Sequence, residues 1–315
     1  MAEPTVSIVI VSWNTRDILL DCLRSIEEET TVSHEVIVVD NASHDGTVEA
    51  VRSAFPNTRL IANEENRGFA AANNQGAEIT TGEFLLLLNP DTVVLDHAVD
   101  RCAERMRTWR EERIGILGCQ VWETPEVLQR TSLAFPGPQS IVKGFFRLDT
   151  LLPFLPMIKD TEYSRWDRKS DRDVQVITGV FMFMPRELIE EDGLFDEQFF
   201  VYGEEADLCY RIWQRGLACR FWTGARIIHL DGGAKSTAQI RPTMHVQLLD
   251  SNLRFIRKNR GRIAWVVSWI ALVTAMIPRV VYAGIMATFR RREDDRKTLA
   301  VWGGTLRWLL GGRRP

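Results

Sequence analysis

The chain has 315 residues, 45% of them apolar and 26% charged, values ordinary for a globular protein that buries a sizeable core. Its formal net charge of −3 argues against a general nucleic-acid binder, which carries a basic excess over its folded domain. Five scattered cysteines, Cys22, Cys102, Cys119, Cys209 and Cys219, form no CxxC pair and read as reduced, buried thiols of a cytosolic protein. Met1-Ala2-Glu3-Pro4 has no basic leader, so no signal peptide is expected and the catalytic part is expected in the cytosol.

In chain order, Val6–Trp13 is a β-branched run of strand length. A helical pattern follows from Asp17, with Ile18, Leu19, Cys22, Leu23 and Ile26 on one face. Glu35–Asp40 repeats the strand signal, and Asp45-Gly46 punctuates before a helix carrying Val48, Val51 and Phe55. Arg59–Ala62 is a third strand, Phe69–Ile79 a helix and Glu83–Leu88 an apolar fourth strand. A helix over Asp96–Trp109 and a strand over Ile114–Val121 are expected next. Residues 122–172 read as irregular, because Pro125, Pro136, Pro138, Pro153 and Pro156 block long helices. Val174–Met184, Gly193–Val201, a helix from Glu205 to Arg215, and strands Cys219–Trp222 and Ala225–His229 complete the pattern. Apolar strands alternating with amphipathic helices imply a parallel sheet covered on both faces, with ligands outside the carboxyl ends of its strands.

Several of those ends are polar. Asp91, directly after a buried strand, suits a hard divalent cation, although Asn-Pro-Asp-Thr is also ordinary turn chemistry. Tyr202-Gly203-Glu204-Glu205-Ala206-Asp207 crowds three acids at a helix start. They favour the helix dipole, and crowding also raises carboxyl pKa values as a general base requires. His229 closes a strand ahead of Gly232-Gly233, Lys235 and Ser236, which could bind an anion. Asn66-Arg67-Gly68 opens a helix, a place for a diphosphate, with Asn66 itself an expected N-terminal cap.

Ser7–Asn14, Val39-Asp40-Asn41-Ala42-Ser43, Asn66-Arg67-Gly68-Phe69-Ala70, Leu88-Asn89-Pro90-Asp91, Phe199–Leu208 and Ile228-His229, in this order, resemble family-2 glycosyltransferases, nearest to their rhamnosyltransferase-like branch. The likeness covers about residues 5–235. It implies an α/β GT-A fold: a Rossmann-like, mixed and mostly parallel sheet with helices on both faces. It also implies a nucleoside-diphosphate sugar donor, a divalent metal (Mg2+ or Mn2+) and inversion at the anomeric carbon. By position, Asp40 contacts the nucleobase and Asn14 lies near the nucleoside. Asn66, Arg67 and Gly68 join the donor site. Asn89 and Asp91 take the first and last places of the family's Asp-x-Asp motif, with Asp91 on the metal and His229 beside metal and diphosphate. Glu205 stands where the family places its catalytic Asp, with Glu204 as the alternative base. Gly179 and Asp207 are acceptor-side candidates.

From Arg257 the character changes. Four positive charges over Arg257–Arg262 precede two apolar pieces, Ile263–Ile277 and Val280–Phe289, separated by Pro278-Arg279 and closed by Arg290-Arg291-Arg292. Each piece is short for a span, and Arg279 is costly in hydrocarbon. Two interfacial helices or a re-entrant hairpin, with basic flanks on anionic headgroups, are expected. An amphipathic piece, Leu299–Leu310, follows. The alternatives are packing on the catalytic domain and a homo-oligomer interface. The resulting expectation is a catalytic domain over 1–256 and membrane-associating helices over 257–315. Such an enzyme adds a sugar, rhamnose from dTDP-rhamnose being the named candidate, to a lipid-linked glycan acceptor at the cytoplasmic membrane face. An inactive nucleotide-sugar-binding scaffold and a nucleotidyltransferase are the alternatives. The second is disfavoured by the absence of glycine from Ser12-Trp13-Asn14-Thr15-Arg16.

Overall fold

The computed structural model describes residues 5–124, 126–146, 163, 166–230, 241–290 and 292–312. Its elements begin with β1 (Val6–Ser12), α1 (Arg16–Glu29), β2 (His34–Asp40), α2 (Thr47–Ala54), β3 (Arg59–Ala62) and α3 (Phe69–Glu78). Then come β4 (Phe84–Leu88), β5 (Thr92–Leu95), α4 (Ala98–Arg105), α5 (Trp109–Glu112), β6 (Ile114–Thr124), β7 (Val127–Leu128) and β8 (Ser132–Leu133). After α6 (Pro138–Phe146) follow β9 (Arg172–Val174), β10 (Val176–Ile177), β11 (Phe181–Pro185), α7 (Glu187–Asp192), α8 (Glu204–Gln214) and β12 (Ala218–His229). Last are α9 (Arg241–Asn259), α10 (Gly261–Phe289) and α11 (Glu293–Leu309). Two compact units result, Met1–Phe135 with Arg165–Gln239, and Pro136–Ser164 with Ile240–Pro315.

The first unit is built on a mixed sheet of order β3-β2-β1-β4-β11-β6-β12-β5. Strands β1 to β4 pair in parallel. Every residue of β1 and β4 is buried, which is why both read as unbroken apolar runs. β11 enters antiparallel between β4 and β6. β12 runs parallel to β6 and antiparallel to β5. These directions put the ends of β1, β2, β4 and β12 and the starts of β5 and β11 at one edge of the sheet.

Three expectations change here. The helix expected from Asp96 starts at Ala98 and is short, because Thr92–Leu95 is a strand claimed by β12 and Asp96 and His97 have positive φ. Within the stretch read as irregular, Pro138 is the first residue of α6, where a missing N–H costs nothing. The two pieces at Cys219–His229 are one strand, bulged between Trp222 and Arg226. The bulge bends β12 so that its second half pairs with β5 and turns His229 toward the start of that strand.

In the second unit, α10 is one continuous helix through Pro278, not two pieces. Arg279 Nη1 donates to the Ala275 carbonyl at 2.8 Å. Ser268, Leu272, Ala275, Met276 and Ala283 are buried on both sides of the proline. Packing of that face against α6, α9 and α11 outweighs the roughly 3 kcal/mol of an interior proline. The opposite face exposes Ile263, Val266, Val267, Ile270, Ile277, Val281, Ile285 and Phe289.

Candidate active site

The polar edge of the sheet is assembled residue by residue from its strand ends. At the end of β1, Asn14 takes positive φ. Its N–H donates to Ser43 Oγ at 2.8 Å and its Oδ1 accepts from the His44 N–H at 2.8 Å. Asp40 closes β2 and is buried. Its Oδ2 accepts from the Ser43 N–H at 2.9 Å, while its buried Oδ1 has no partner among the described residues. A buried acceptor without a donor is costly.

Asn41 shapes the neighbouring loop. Its Nδ2 donates to Asn66 Oδ1 at 2.9 Å, and its Oδ1 accepts from the Arg67 N–H at 3.0 Å. Asn66 Oδ1 also accepts from the Gly68 N–H at 2.9 Å. Asn66 therefore closes an Asx-type turn; the position before α3 belongs to Gly68, which has φ 85°. The first amide of α3, on Phe69, donates to the Phe200 carbonyl at 2.7 Å. That amide is not open to a diphosphate as the sequence suggested. Arg67, by contrast, has its backbone fixed and its side chain exposed.

Asn89 follows β4 and donates its N–H to the Val180 carbonyl at 3.1 Å. Asp91 is fully buried and His229 is 4% exposed. The β5–β12 register sets His229 opposite Thr92, and the Leu230 N–H donates to the Asp91 carbonyl at 2.9 Å. His229 Nε2 consequently lies 3.0 Å from Asp91 Oδ1, and its Nδ1 lies 2.8 Å from Gln129 Oε1. Beneath them, burial pushes the Cys22 thiol up to about 12, leaving it chemically inert. A buried carboxylate against an imidazole nitrogen is a donor set that Mn2+ or Mg2+ accepts. Among the described residues no group of three His, Cys, Asp or Glu gathers around one metal position. The remaining ligands of a cation here would come from diphosphate and water.

The Glu-Glu pair opens α8. Tyr202 and Gly203 both have positive φ, a tight turn of the kind that marks functional segments. Glu204 is 3% exposed, and its buried Oε2 has no partner among the described residues. Burial, and then the Glu205 carboxylate, holds the Glu204 carboxyl well above the usual range. Glu205 Oε2 accepts from the Gly203 N–H at 3.0 Å. Its carboxyl is also raised by burial, and that hydrogen bond pulls the other way. The pair thus retains a proton under conditions that ionise an ordinary glutamate.

Contacts link the pairs in series. Asn89 bonds Val180; beside it, a Cβ on Gly179 would meet the Phe69 ring at 3.3 Å; and Phe69 bonds Phe200, which leads into Glu204. The structure therefore brings Asn14, Asp40, Asn66, Gly68, Asn89, Asp91, Gly179 and His229 to one edge. Asp207 is held by an ion pair. Fully buried, it pairs with Arg211 at 3.3 Å, and Arg211 reaches the Gly193 carbonyl at 3.1 Å and the Leu194 carbonyl. Sequence reasoning missed Gln129 and Phe200 and gave Asn41 no role. Gly232-Gly233, Lys235 and Ser236 lie outside the described residues.

A family model described as Glycosyl transferase family 2 matches residues 7–192. The N-acetylglucosaminyl-diphospho-decaprenol L-rhamnosyltransferase of Mycobacterium tuberculosis is 26% identical over 235 residues, 70% of this chain and 75% of that protein. The O-antigen biosynthesis protein RfbC of Myxococcus xanthus is 26% identical over 236 residues, 74% of this chain but 18% of that protein. Among solved structures, the Pyrobaculum calidifontis mannosyltransferase PcManGT, in complex with GDP-Man and Mn2+, aligns with a TM-score of 0.54. That alignment covers 98% of this chain and 86% of that one, at 18% identity. GalNAc-T7 with UDP, GalNAc and Mn2+ aligns with a TM-score of 0.55 over 72% of this chain and 43% of its own, also at 18% identity. Both structural likenesses are to GT-A folds.

Proposed function

The chain belongs to glycosyl transferase family 2, and from that premise we propose an inverting, metal-dependent hexosyltransferase acting on a lipid-linked glycan. Rhamnose from dTDP-rhamnose is the first donor to test, since the Mycobacterium tuberculosis relative is named for rhamnosyl transfer. The observation that carries the reading is the buried Asp91–His229 contact at 3.0 Å, taken together with the Glu204–Glu205 pair that opens α8.

Each residue then has a task. Asp40 Oδ1 accepts a nucleobase N–H. The fixed backbone of Arg67 holds its guanidinium over the donor side, and Asp91 with His229 binds the cation that accompanies the diphosphate. Mg2+ or Mn2+ there supplies positive charge to the departing diphosphate. Glu205, anchored by the Gly203 N–H, takes the proton of the acceptor hydroxyl. That oxygen bonds to the anomeric carbon as the bond to the diphosphate oxygen breaks on the opposite face. Glu204 is the alternative base. With a glutamate in the catalytic place, the extra methylene is used to fold the carboxylate back onto Gly203.

Residues 257–315 are assigned to the membrane. The apolar face of α10 recurs at helical spacing, with Arg257, Lys258, Arg260 and Arg262 before it and Arg290, Arg291 and Arg292 after it. By length and composition α10 could cross a bilayer. With one face packed and the other exposed, it suits a helix lying along the cytoplasmic surface. There it would meet a lipid-linked acceptor.

The test is transfer and donor hydrolysis across a panel of nucleotide sugars, with and without Mn2+, for the wild type, Asp91→Ala and Glu205→Gln. Metal-dependent turnover lost in Asp91→Ala, with donor binding retained but transfer lost in Glu205→Gln, supports the reading. A wild type that binds donor without turnover makes the chain a scaffold. Full transfer by Glu205→Gln moves the base to Glu204.

A further inference from the structure

We propose that Asn41 is a positioning residue that sets the Arg67 arm at a fixed spacing from Asp40, so that the chain favours a nucleoside diphosphate over the bare nucleoside. The inference rests on the donor reading above, in which Asp40 takes the nucleobase and Arg67 stands over the donor side.

Asn41 is 3% exposed, and its side-chain amide is used in full. Its Oδ1 accepts from the Arg67 N–H at 3.0 Å and from Asn63 Nδ2 at 3.2 Å. Its Nδ2 donates to Asn66 Oδ1 at 2.9 Å and to the Gly68 carbonyl at 3.3 Å. Two lone pairs and two hydrogens are all that a primary amide offers. Backbone settles which way it points. The Arg67 N–H can only donate and the Gly68 carbonyl can only accept, so a flipped amide would set like groups against each other at both places.

These bonds bracket Arg67. The peptide before its Cα is tied to Asn41 through the Arg67 N–H. The peptide after it is tied through the Gly68 N–H to Asn66 Oδ1 at 2.9 Å, the same oxygen that Asn41 holds. The root of the Arg67 side chain is therefore fixed while the residue stays exposed. Asn41 is itself fixed, since its N–H donates to the Ser12 carbonyl at the end of β1 at 2.8 Å. Asp40 keeps a separate anchor, the Ser43 N–H at 2.9 Å, in which the Asn41 side chain takes no part. Successive residues thus carry the two contacts, Asp40 for the base and Asn41 for the arm. A guanidinium whose root is already ordered makes its charge-assisted bonds to phosphate oxygens without the cost of ordering a loop. A bare nucleoside gains nothing from that arm.

The experiment uses the full chain and its Asn41→Ala, Arg67→Ala and double variants, in titration calorimetry without divalent cation. The probes are thymidine with dTDP, uridine with UDP and guanosine with GDP, and the pair that the wild type binds most tightly is carried through. Asn41→Ala should keep its nucleoside affinity within about twofold and lose about tenfold in diphosphate affinity, as Arg67→Ala does. The double variant should lose no more than either single one, because Asn41 acts through Arg67. Asn41→Ser takes the place of Asn41→Ala in the cycle if the latter does not fold. Equal losses of nucleoside and diphosphate affinity in the Asn41 variant would mark a merely structural role, and losses that multiply in the double variant would make the two residues independent. Either result overturns the proposal. A wild type that binds none of the probes instead removes the donor reading beneath it, and one that binds the diphosphate no more tightly than the nucleoside removes the arm on which Asn41 acts.

Discussion

Gly68 offers a substitution whose cost can be worked out from the contacts around it. It adopts φ 85° and ψ 168°, a region essentially reserved for glycine that costs a side-chain-bearing residue about 1–3 kcal/mol. An alanine Cβ there would stand 2.6 Å from both the Phe200 carbonyl oxygen and its Cδ2. The oxygen is backbone, so relief requires the two loops to part, at about 1–3 kcal/mol for overpacking. Parting also loosens the 2.7 Å bond from Phe69 N–H to that same oxygen, worth about 1 kcal/mol. Gly193 is a matched control, with φ 71° and ψ 165° and nothing within 4 Å of its would-be Cβ. The difference between Gly68→Ala and Gly193→Ala removes the conformational cost and leaves the Phe200 contact, about 2–4 kcal/mol. In a unit of this size that is roughly 4–16 °C in melting midpoint. Thermal denaturation of both variants measures it, and sugar transfer should fall more in Gly68→Ala because Phe200 leads into Glu204. Equal midpoints for the two variants would falsify the docking argument.

Two further outcomes follow from charge and exposure. Glu204→Gln should raise stability at pH 8 by about 0.5–2 kcal/mol, the usual gain when a functional-site cost is removed. Because the folded pKa of Glu204 is raised, its carboxyl destabilises the fold above the unfolded value of 4.5. The gain should therefore vanish as the pH falls toward that value; melting curves across this window check it, and a pH-independent difference contradicts it. Replacing the exposed Ile277 and Val281 together by glutamate should weaken binding to phosphatidylserine vesicles about tenfold or more, given about 1.5–3 kcal/mol per buried aliphatic side chain. Sedimentation with vesicles reads this, and equal binding by wild type and variant removes α10 from the membrane.

The parallel half of the sheet was legible because burial on both faces forces unbroken runs such as Phe84–Leu88. β5 was not, since Thr92–Leu95 is short and becomes a strand only when β12 pairs with it. Likewise α10 reads as two segments by the local rule for proline, and tertiary packing overrides that rule. The places of Asp91, His229 and the Glu-Glu pair in the fold were readable because each follows, closes or opens a regular element. The contact between Gln129 and His229 was not, because it joins residues 100 positions apart and nothing local marks such a pair. Asp207 shows the opposite limit: the sequence marks it as one of an acidic cluster, while its contact with the partly exposed Arg211 is seen only in the fold.

The insertion of β11 between β4 and β6 also governs how the nascent chain becomes an enzyme. β4 is translated long before the strand that covers its free edge, since Leu88 pairs with Phe181. At about 5–20 residues per second, the ribosome leaves that apolar edge open for roughly 5–20 s. His229 emerges later still, so Asp91 waits for its partner until the last strand of the sheet has been made. The order of synthesis thus delays the Asp91–His229 contact until the sheet is complete, and leaves the apolar edge of β4 without its partner strand during that interval.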